Sequence, residues 1–256
     1  MMRKEGEKIM NVIAHRGYSG QYPENTMLAY EKAVEAGCDE IEIDVQMSKD
    51  GVLVILHDES VENITNGKGY IKDLTYQELQ QFNVNARYGD KYGFNPIPRL
   101  DEYLNWVRKQ DVTTNIELKN RKYYYPCLEE KTLELVKKYG LTDRVMFSSF
   151  NHVSLLKCKQ LAPNIECGII VGKPEIWNAG YFAREYQLEC YHPDILNLTR
   201  ETVDHCKENG IKVNVWTING MDELQRMYLW GCDGVITNYP DICKAWLSKT
   251  TSREHL

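Results

Sequence analysis

The chain has no apolar stretch long enough to cross a bilayer. Its longest uninterrupted run is V-L-V-I-L at 52–56, whereas a spanning helix needs about 20 such residues. It has no C-x-x-C pair either. Its 8 cysteines are scattered from Cys38 to Cys243, which argues against a structural zinc site and reads as reduced core residues. Neither G-x-G-x-x-G nor G-x-x-x-x-G-K-[ST] occurs, so the Gly-rich phosphate loops of doubly wound folds are missing. Basic residues are the minority, 31 against 37 acidic for a net charge of −6, and a duplex-binding surface draws on the opposite balance. The opening M-M-R-K-E-G-E-K-I-M-N-V-I-A lacks the apolar core of an export signal. These absences lead us to expect a cytoplasmic monomer or homodimer with no membrane anchor and no nucleic-acid partner.

What is present is strand–helix alternation. Short β-branched stretches recur as N-V-I-A at 11, E-I-E-I-D-V at 40, N-I-E-L at 115 and V-M-F-S-S at 145. They continue as C-G-I-I-V at 167, Y-H-P-D-I at 191, K-V-N-V-W-T at 212 and G-V-I-T-N at 234. Between them lie segments of helical period that close on Gly, such as L-E-E-K-T-L-E-L-V-K-K-Y-G. Alternation of this kind predicts parallel β/α units with right-handed crossovers. Eight units in 256 residues predict a single (β/α)₈ TIM barrel, with a doubly wound sheet as the rival.

One interval breaks the rhythm. The second and third strands start roughly 75 residues apart, about three periods instead of one. Lys49, Asp50 and Gly51 read as a hairpin turn, and 52–56 as a strand returning antiparallel. The segment at about 59–96 is expected to be a small insertion at the barrel mouth without a core of its own.

The chemistry-bearing residues gather where barrel enzymes place their sites, at the C-terminal strand ends. His15 and Arg16 end the first strand. On the second, Glu40, Glu42 and Asp44 alternate with Ile41, Ile43 and Val45, so period two puts the acids on one face. Glu117 and Lys119 repeat the pattern on the third. Glu42, Asp44 and Glu117 would form a hard oxygen-ligand site suited to one divalent cation, Mg²⁺ or Ca²⁺. Arg16 and Lys119 would add the positive charge a phosphate oxygen needs. His15 and His57 could exchange protons near neutral pH. Each has a plainer reading taken alone: a hydrogen-bonded structural His, a solvated face of an antiparallel sheet, or Arg16 paired internally with Glu42 or Asp44. The coincidence of acid, base and cation at one end of three consecutive strands weighs against those readings.

H-R-G at 15–17, P-E-N-T at 23–26, E-I-D-V at 42–45 and H-D at 57–58, with I-P-R-L-D-E at 97–102 and I-E-L-K at 116–119, resemble the signature of the glycerophosphodiester phosphodiesterases. S-S-F at 148–150, W-T-I-N at 216–219 and T-N-Y-P at 237–240 extend the likeness across nearly the whole chain. The resemblance implies His15 and His57 as acid–base pair, Glu42, Asp44 and Glu117 as ligands of Mg²⁺, Ca²⁺ or Mn²⁺, and Arg16 and Lys119 on the phosphate. It implies hydrolysis of a glycerophosphodiester, such as glycerophosphocholine, to sn-glycerol 3-phosphate and an alcohol. A lysophospholipase D-like enzyme and a non-catalytic phosphate-binding barrel are the alternatives. Asn25 is expected to cap the first helix, Glu24 to support the site, and Trp216 either to wall the glycerol pocket or to pack as a core aromatic under the barrel rim. Tyr123, Tyr124 and Tyr125 would either pack the rim or stack on a choline ammonium, and the rim loop 174–181 would meet the leaving group. Asn63 stands where the family commonly has Arg, and Arg99, where Thr is usual, could compensate.

Overall fold

The computed structural model describes residues 10–173 and 176–253. Eight strands run parallel: β1 Asn11–His15, β2 Glu40–Met47, β4 Thr113–Leu118, β5 Val145–Ser149, β6 Glu166–Val171, β7 Cys190–Pro193, β8 Lys212–Val215 and β9 Gly234–Thr237. Each pairs with the next, and β9 and β2 both pair with β1, so the sheet closes as a (β/α)₈ barrel. Helices α1 Met27–Glu35, α3 Leu100–Val107, α4 Leu128–Lys138, α5 His152–Leu161, α6 Ala179–Glu185, α7 Arg200–Glu208, α8 Met221–Trp230 and α9 Pro240–Arg253 follow the strands in turn.

Period-two alternation sorts the two faces of β2 as expected. Ile41, Ile43 and Val45 are fully buried in one large apolar cluster with Tyr30 of α1 and Leu100, Tyr103 and Leu104 of α3. Burying side chains of this size stabilises by about 1.5–3 kcal/mol each. The acids are left to the barrel interior. Register then sets the site: His15 lies beside Glu42, Glu42 beside Asn115, and Asp44 beside Glu117.

The extra length after β2 begins with β3 (Leu53–Ile55), antiparallel to β2, with Val45 opposite Ile55 and Met47 opposite Leu53. Beyond it the chain folds over a short helix, α2 (Tyr76–Leu79), capped by a Thr75–Glu78 box. This insertion does have a core, against expectation. Val61, Ile64, Ile71, Leu79 and Val84 bury together on Val54, Leu56 and Ile97. The sequence hid it because its apolar residues are spaced irregularly and meet only through the outward face of the hairpin.

Two local assignments also change. Thr26, not Asn25, caps α1, its hydroxyl accepting from the Ala29 N–H at 3.2 Å. Arg99 pairs with Asp101 at 2.8 Å and lies over the Tyr76 ring at 5.5 Å, so it does not replace the charge missing at Asn63.

The turn out of β1 is tightly constrained. Gly17 has φ +78°, and a Cβ there would lie 2.7 Å from the Ala29 carbonyl carbon. Gly17→Ala is expected to destabilise by about 2–4 kcal/mol, combining a left-handed backbone with overpacking. Denaturant unfolding would measure it, and a loss under about 0.5 kcal/mol would contradict this account of the turn.

Candidate active site

Glu42, Asp44 and Glu117 are all buried, and one carboxylate oxygen from each lies within 4.8 Å of the others. Two cations meet them. Arg16 Nε is 3.4 Å from Asp44 Oδ2, and its backbone N–H donates to Glu42 at 2.9 Å. Lys119 Nζ lies 2.9 Å from Glu117 and 3.3 Å from Asp44. Burial opposes charge on Asp44, yet Lys119, His57 and Arg16 hold its carboxyl well below the usual carboxylate range. Glu42 goes the other way, pushed well up by burial and by Asp44 and Glu117. Glu117 is also raised, by burial first and then by Asp44, with Lys119 opposing. Two cations against three carboxylates leave negative charge over, and these shifts register its strain.

The P-E-N-T motif is explained residue by residue. Glu24 accepts from Arg16 Nη1 at 2.7 Å and so aims the guanidinium. Asn25 holds a left-handed φ of 55°. It donates to Asp44 Oδ2 at 2.8 Å and accepts from the Tyr30 hydroxyl at 3.0 Å. Thr26 caps the helix and Pro23 supplies the carbonyl that its hydroxyl donates to.

The two imidazoles are held differently. His15 Nδ1 donates to Asn238 Oδ1 at 2.7 Å, which leaves Nε2 with its lone pair. Burial, and then the neighbouring Arg16, lowers its pKa to about 3, so the ring is neutral at pH 7. His57 Nδ1 donates to Asp58 at 2.7 Å, and Asp58 also accepts from Asn63 at 3.0 Å. These bonds lower the Asp58 carboxyl to about 2. Asn63 thus steadies Asp58 as a neutral donor.

Sequence reasoning missed the supports of this arrangement. Gln46 Nε2 donates to the carbonyls of Leu56, His57 and Asp58 at 2.7, 3.2 and 2.9 Å, pinning the backbone that carries His57. Tyr125 in turn donates to Gln46 Oε1 at 3.0 Å. The only available signal was that Gln46 continues the inward alternation of β2.

A cavity of about 250 Å³ opens beside the carboxylates, reached by His15, Arg16, Glu42, His57 and Glu117. Phe150, Ile170, Trp216 and Ile236 give it apolar walls, and Asn115 and His192 lie deeper. Trp216 follows β8, its indole N–H donating to the His192 carbonyl at 2.9 Å and its ring edge-on to Phe150. Asn115 and His192 are almost fully buried, and both amide atoms of Asn115 and Nδ1 of His192 have no hydrogen-bond partner among the described residues. Unpartnered buried polar atoms are rare in proteins and mark a place for a polar guest. Tyr125 is buried, Tyr124 exposed, and Tyr123 lies beneath Lys72, so the three tyrosines form no aromatic cage. Of the rim loop 174–181, Pro174 and Glu175 lie outside the described residues, and Trp177 is exposed.

Carboxylates, cations and paired imidazoles around one polar-floored cavity define a barrel enzyme built to handle a phosphoryl group. Comparisons with known proteins agree. The model of the glycerophosphoryl diester phosphodiesterase family matches residues 15–242. The chain is 40% identical over 232 residues to a glycerophosphodiester phosphodiesterase of Caldanaerobacter subterraneus, spanning 90% of this chain and 94% of that one. To the enzyme of the same name from Bacillus altitudinis it is 38% identical over 233 residues, spanning 90% and 95%. An Oleispira antarctica phosphodiesterase, solved with the product sn-glycerol-3-phosphate, superposes with a TM-score of 0.82 at 31% identity, covering 93% of this chain and 96% of that one. The chain belongs to the glycerophosphoryl diester phosphodiesterase family, and is a phosphoric diester hydrolase.

Two outcomes are expected from the supports. Gln46→Leu should lower kcat on the order of 10²-fold while the protein stays folded, because His57 loses its register; unchanged kcat would remove Gln46 from the account. Burial lowers the His192 pKa to about 3. Its neutral form is shared by folded and unfolded chains above about pH 6.5, and the stability it contributes is lost as pH falls from there toward 3. Tm measured against pH should therefore fall less steeply on the acid side for His192→Gln, and parallel curves would contradict the shift.

Proposed function

We propose that the chain hydrolyses glycerophosphodiesters to sn-glycerol 3-phosphate and a free alcohol, with one divalent cation held by Glu42, Asp44 and Glu117. The observation that carries this is the buried carboxylate cluster facing two imidazoles across a cavity of about 250 Å³. The donor set fits a hard ion. Its donors are all carboxylate oxygens, its charge is incompletely balanced, and buried Asp44 Oδ1 has no hydrogen bond, only the ion pair with Lys119 at 3.3 Å. When bound, Mg²⁺ or Ca²⁺, with Mn²⁺ also suited, supplies Lewis-acid polarisation of the phosphoryl oxygens.

Arg16 and Lys119 would bind the non-bridging oxygens and stabilise charge that builds on them. Neutral His15 is the base: its Nε2 lone pair accepts the proton of the attacking hydroxyl, whether that of the neighbouring glycerol carbon or of water. His57, whose Nδ1 proton is held by Asp58, delivers the Nε2 proton to the departing alkoxide oxygen. The glyceryl group would sit against Trp216 and Phe150 with its hydroxyls toward Asn115 and His192. A cavity of about 250 Å³ suits a glyceryl group. We place the enzyme in the cytoplasm, a setting in keeping with cysteines that are scattered along the chain and, seven of eight, buried. No helix among the described residues is long and apolar enough to cross a membrane.

Release of glycerol 3-phosphate from glycerophosphocholine should stop in EDTA and return on adding Mg²⁺, Mn²⁺ or Ca²⁺; full turnover in chelator would contradict the cation. His57→Ala should cut the rate by roughly 10²–10⁴-fold, and a near-normal rate would place the general acid elsewhere.

A further inference from the structure

The enzyme has a second hollow, of about 390 Å³, next to Glu117 and Phe150, the two residues it shares with the catalytic cavity. We propose that this hollow receives the leaving alcohol and selects alcohols that themselves carry negative charge, either a carboxylate or a further phosphate. The inference rests on the reading of the catalytic site given above. If the glyceryl group occupies the catalytic cavity and the phosphate lies between Arg16 and Lys119, the remaining ester arm leaves past Lys119. Lys119 is also part of the wall of the second hollow.

The charges of that wall are arranged against a cation. Besides Lys119, it contains Arg121 and Lys122. Its acids are both engaged: Glu117 by Lys119 at 2.9 Å, and Glu59 by Lys122 at 3.2 Å. Arg121 has no ion-pair partner among the described residues, and its guanidinium lies over the Phe150 ring, 5.4 Å from the centroid. The neighbouring Tyr123 ring is approached by two ammoniums, Lys72 at 5.1 Å and Lys122 at 5.9 Å.

A choline-type ammonium is recognised by open aromatic faces. Here the ring faces nearest the exit already carry the protein's own cations, so a cationic alcohol would meet like charge where it needs an aromatic surface. An anionic alcohol would meet Arg121, whose planar donors suit both carboxylate and phosphate. In a chain of net charge −6, such a local cationic patch is what lets a doubly anionic substrate approach.

The test compares kcat/KM for substrates that share the glycerophosphoryl half, read as glycerol 3-phosphate released by the cation-loaded enzyme. Glycerophosphocholine is the cationic case and glycerophosphoglycerol the neutral one. Glycerophosphoglycerate and the terminal phosphate ester of glycerophosphoglycerol are the anionic cases, and they separate a carboxylate from a phosphate. At low salt the better anionic substrate should exceed the neutral one by about 10-fold and glycerophosphocholine by more, with the gap narrowing as ionic strength rises. Arg121→Gln with Lys122→Gln should bring the anionic-to-neutral ratio to within about 2-fold, and Arg121→Glu with Lys122→Glu should invert it. Arg121→Gln alone should move the ratio in the same direction. Equal rates in the wild type, a preference for choline, or ratios unmoved by these substitutions would overturn the inference. Failure to hydrolyse even the neutral diester would instead overturn the reading of the catalytic site.

Discussion

Three carboxylates lie buried within 4.8 Å of one another, and much of this structure answers the cost of placing them there. An ionised carboxylate taken out of water loses several kcal/mol unless charge and hydrogen bonds replace its hydration. Arg16 and Lys119 replace part of it, and Asn25 and the Arg16 backbone N–H add donors. Asp44, which gathers the most partners, is held ionised, whereas Glu42 keeps a strongly raised pKa. The cluster is therefore underneutralised by its own protein, which is the electrostatic condition for holding a cation.

The rest of the site can be understood as holding geometry around that cluster. Each of the two imidazoles has its Nδ1 occupied, by Asn238 in one case and Asp58 in the other, so that Nε2 is the ring nitrogen left for another partner. The partners differ: an amide beside the His15 ring, a carboxylate beside that of His57. His57 reaches the barrel on a hairpin, outside the parallel sheet, and Gln46 fixes it by three carbonyls at once. The insertion also leans on the neighbouring loop after β1, where Tyr88 and Tyr92 donate to the carbonyls of Ser19 and Gln21, and Arg87 lies 3.6 Å from Glu24.

The barrel and the acidic cluster were legible in the sequence because both rest on short-range periodicity. Alternation on β2 sends isoleucines to the helices and acids inward whatever the rest of the chain does. Asn115 and His192 were not legible as floor residues, since their significance lies in partners they lack across the barrel. Gln46 and Tyr125 were missed for a related reason: their bond spans 79 positions. Asn25 was misread because an Asn before a helix usually caps it, and here a buried carboxylate competes for the same amide. The insertion core escaped notice because three of its eight buried residues, Val54, Leu56 and Ile97, lie on the hairpin and on the segment leading to α3.

The central claim is that Glu42, Asp44 and Glu117 together bind one divalent cation. Titration of the metal-free protein with Mn²⁺, following free Mn²⁺ by electron paramagnetic resonance, tests it without reference to turnover. The account predicts one site per chain, displaced by Mg²⁺ or Ca²⁺, and lost in Asp44→Asn and Glu117→Gln while both variants remain folded. Absence of binding by the wild type, or a site that survives both substitutions, would contradict it.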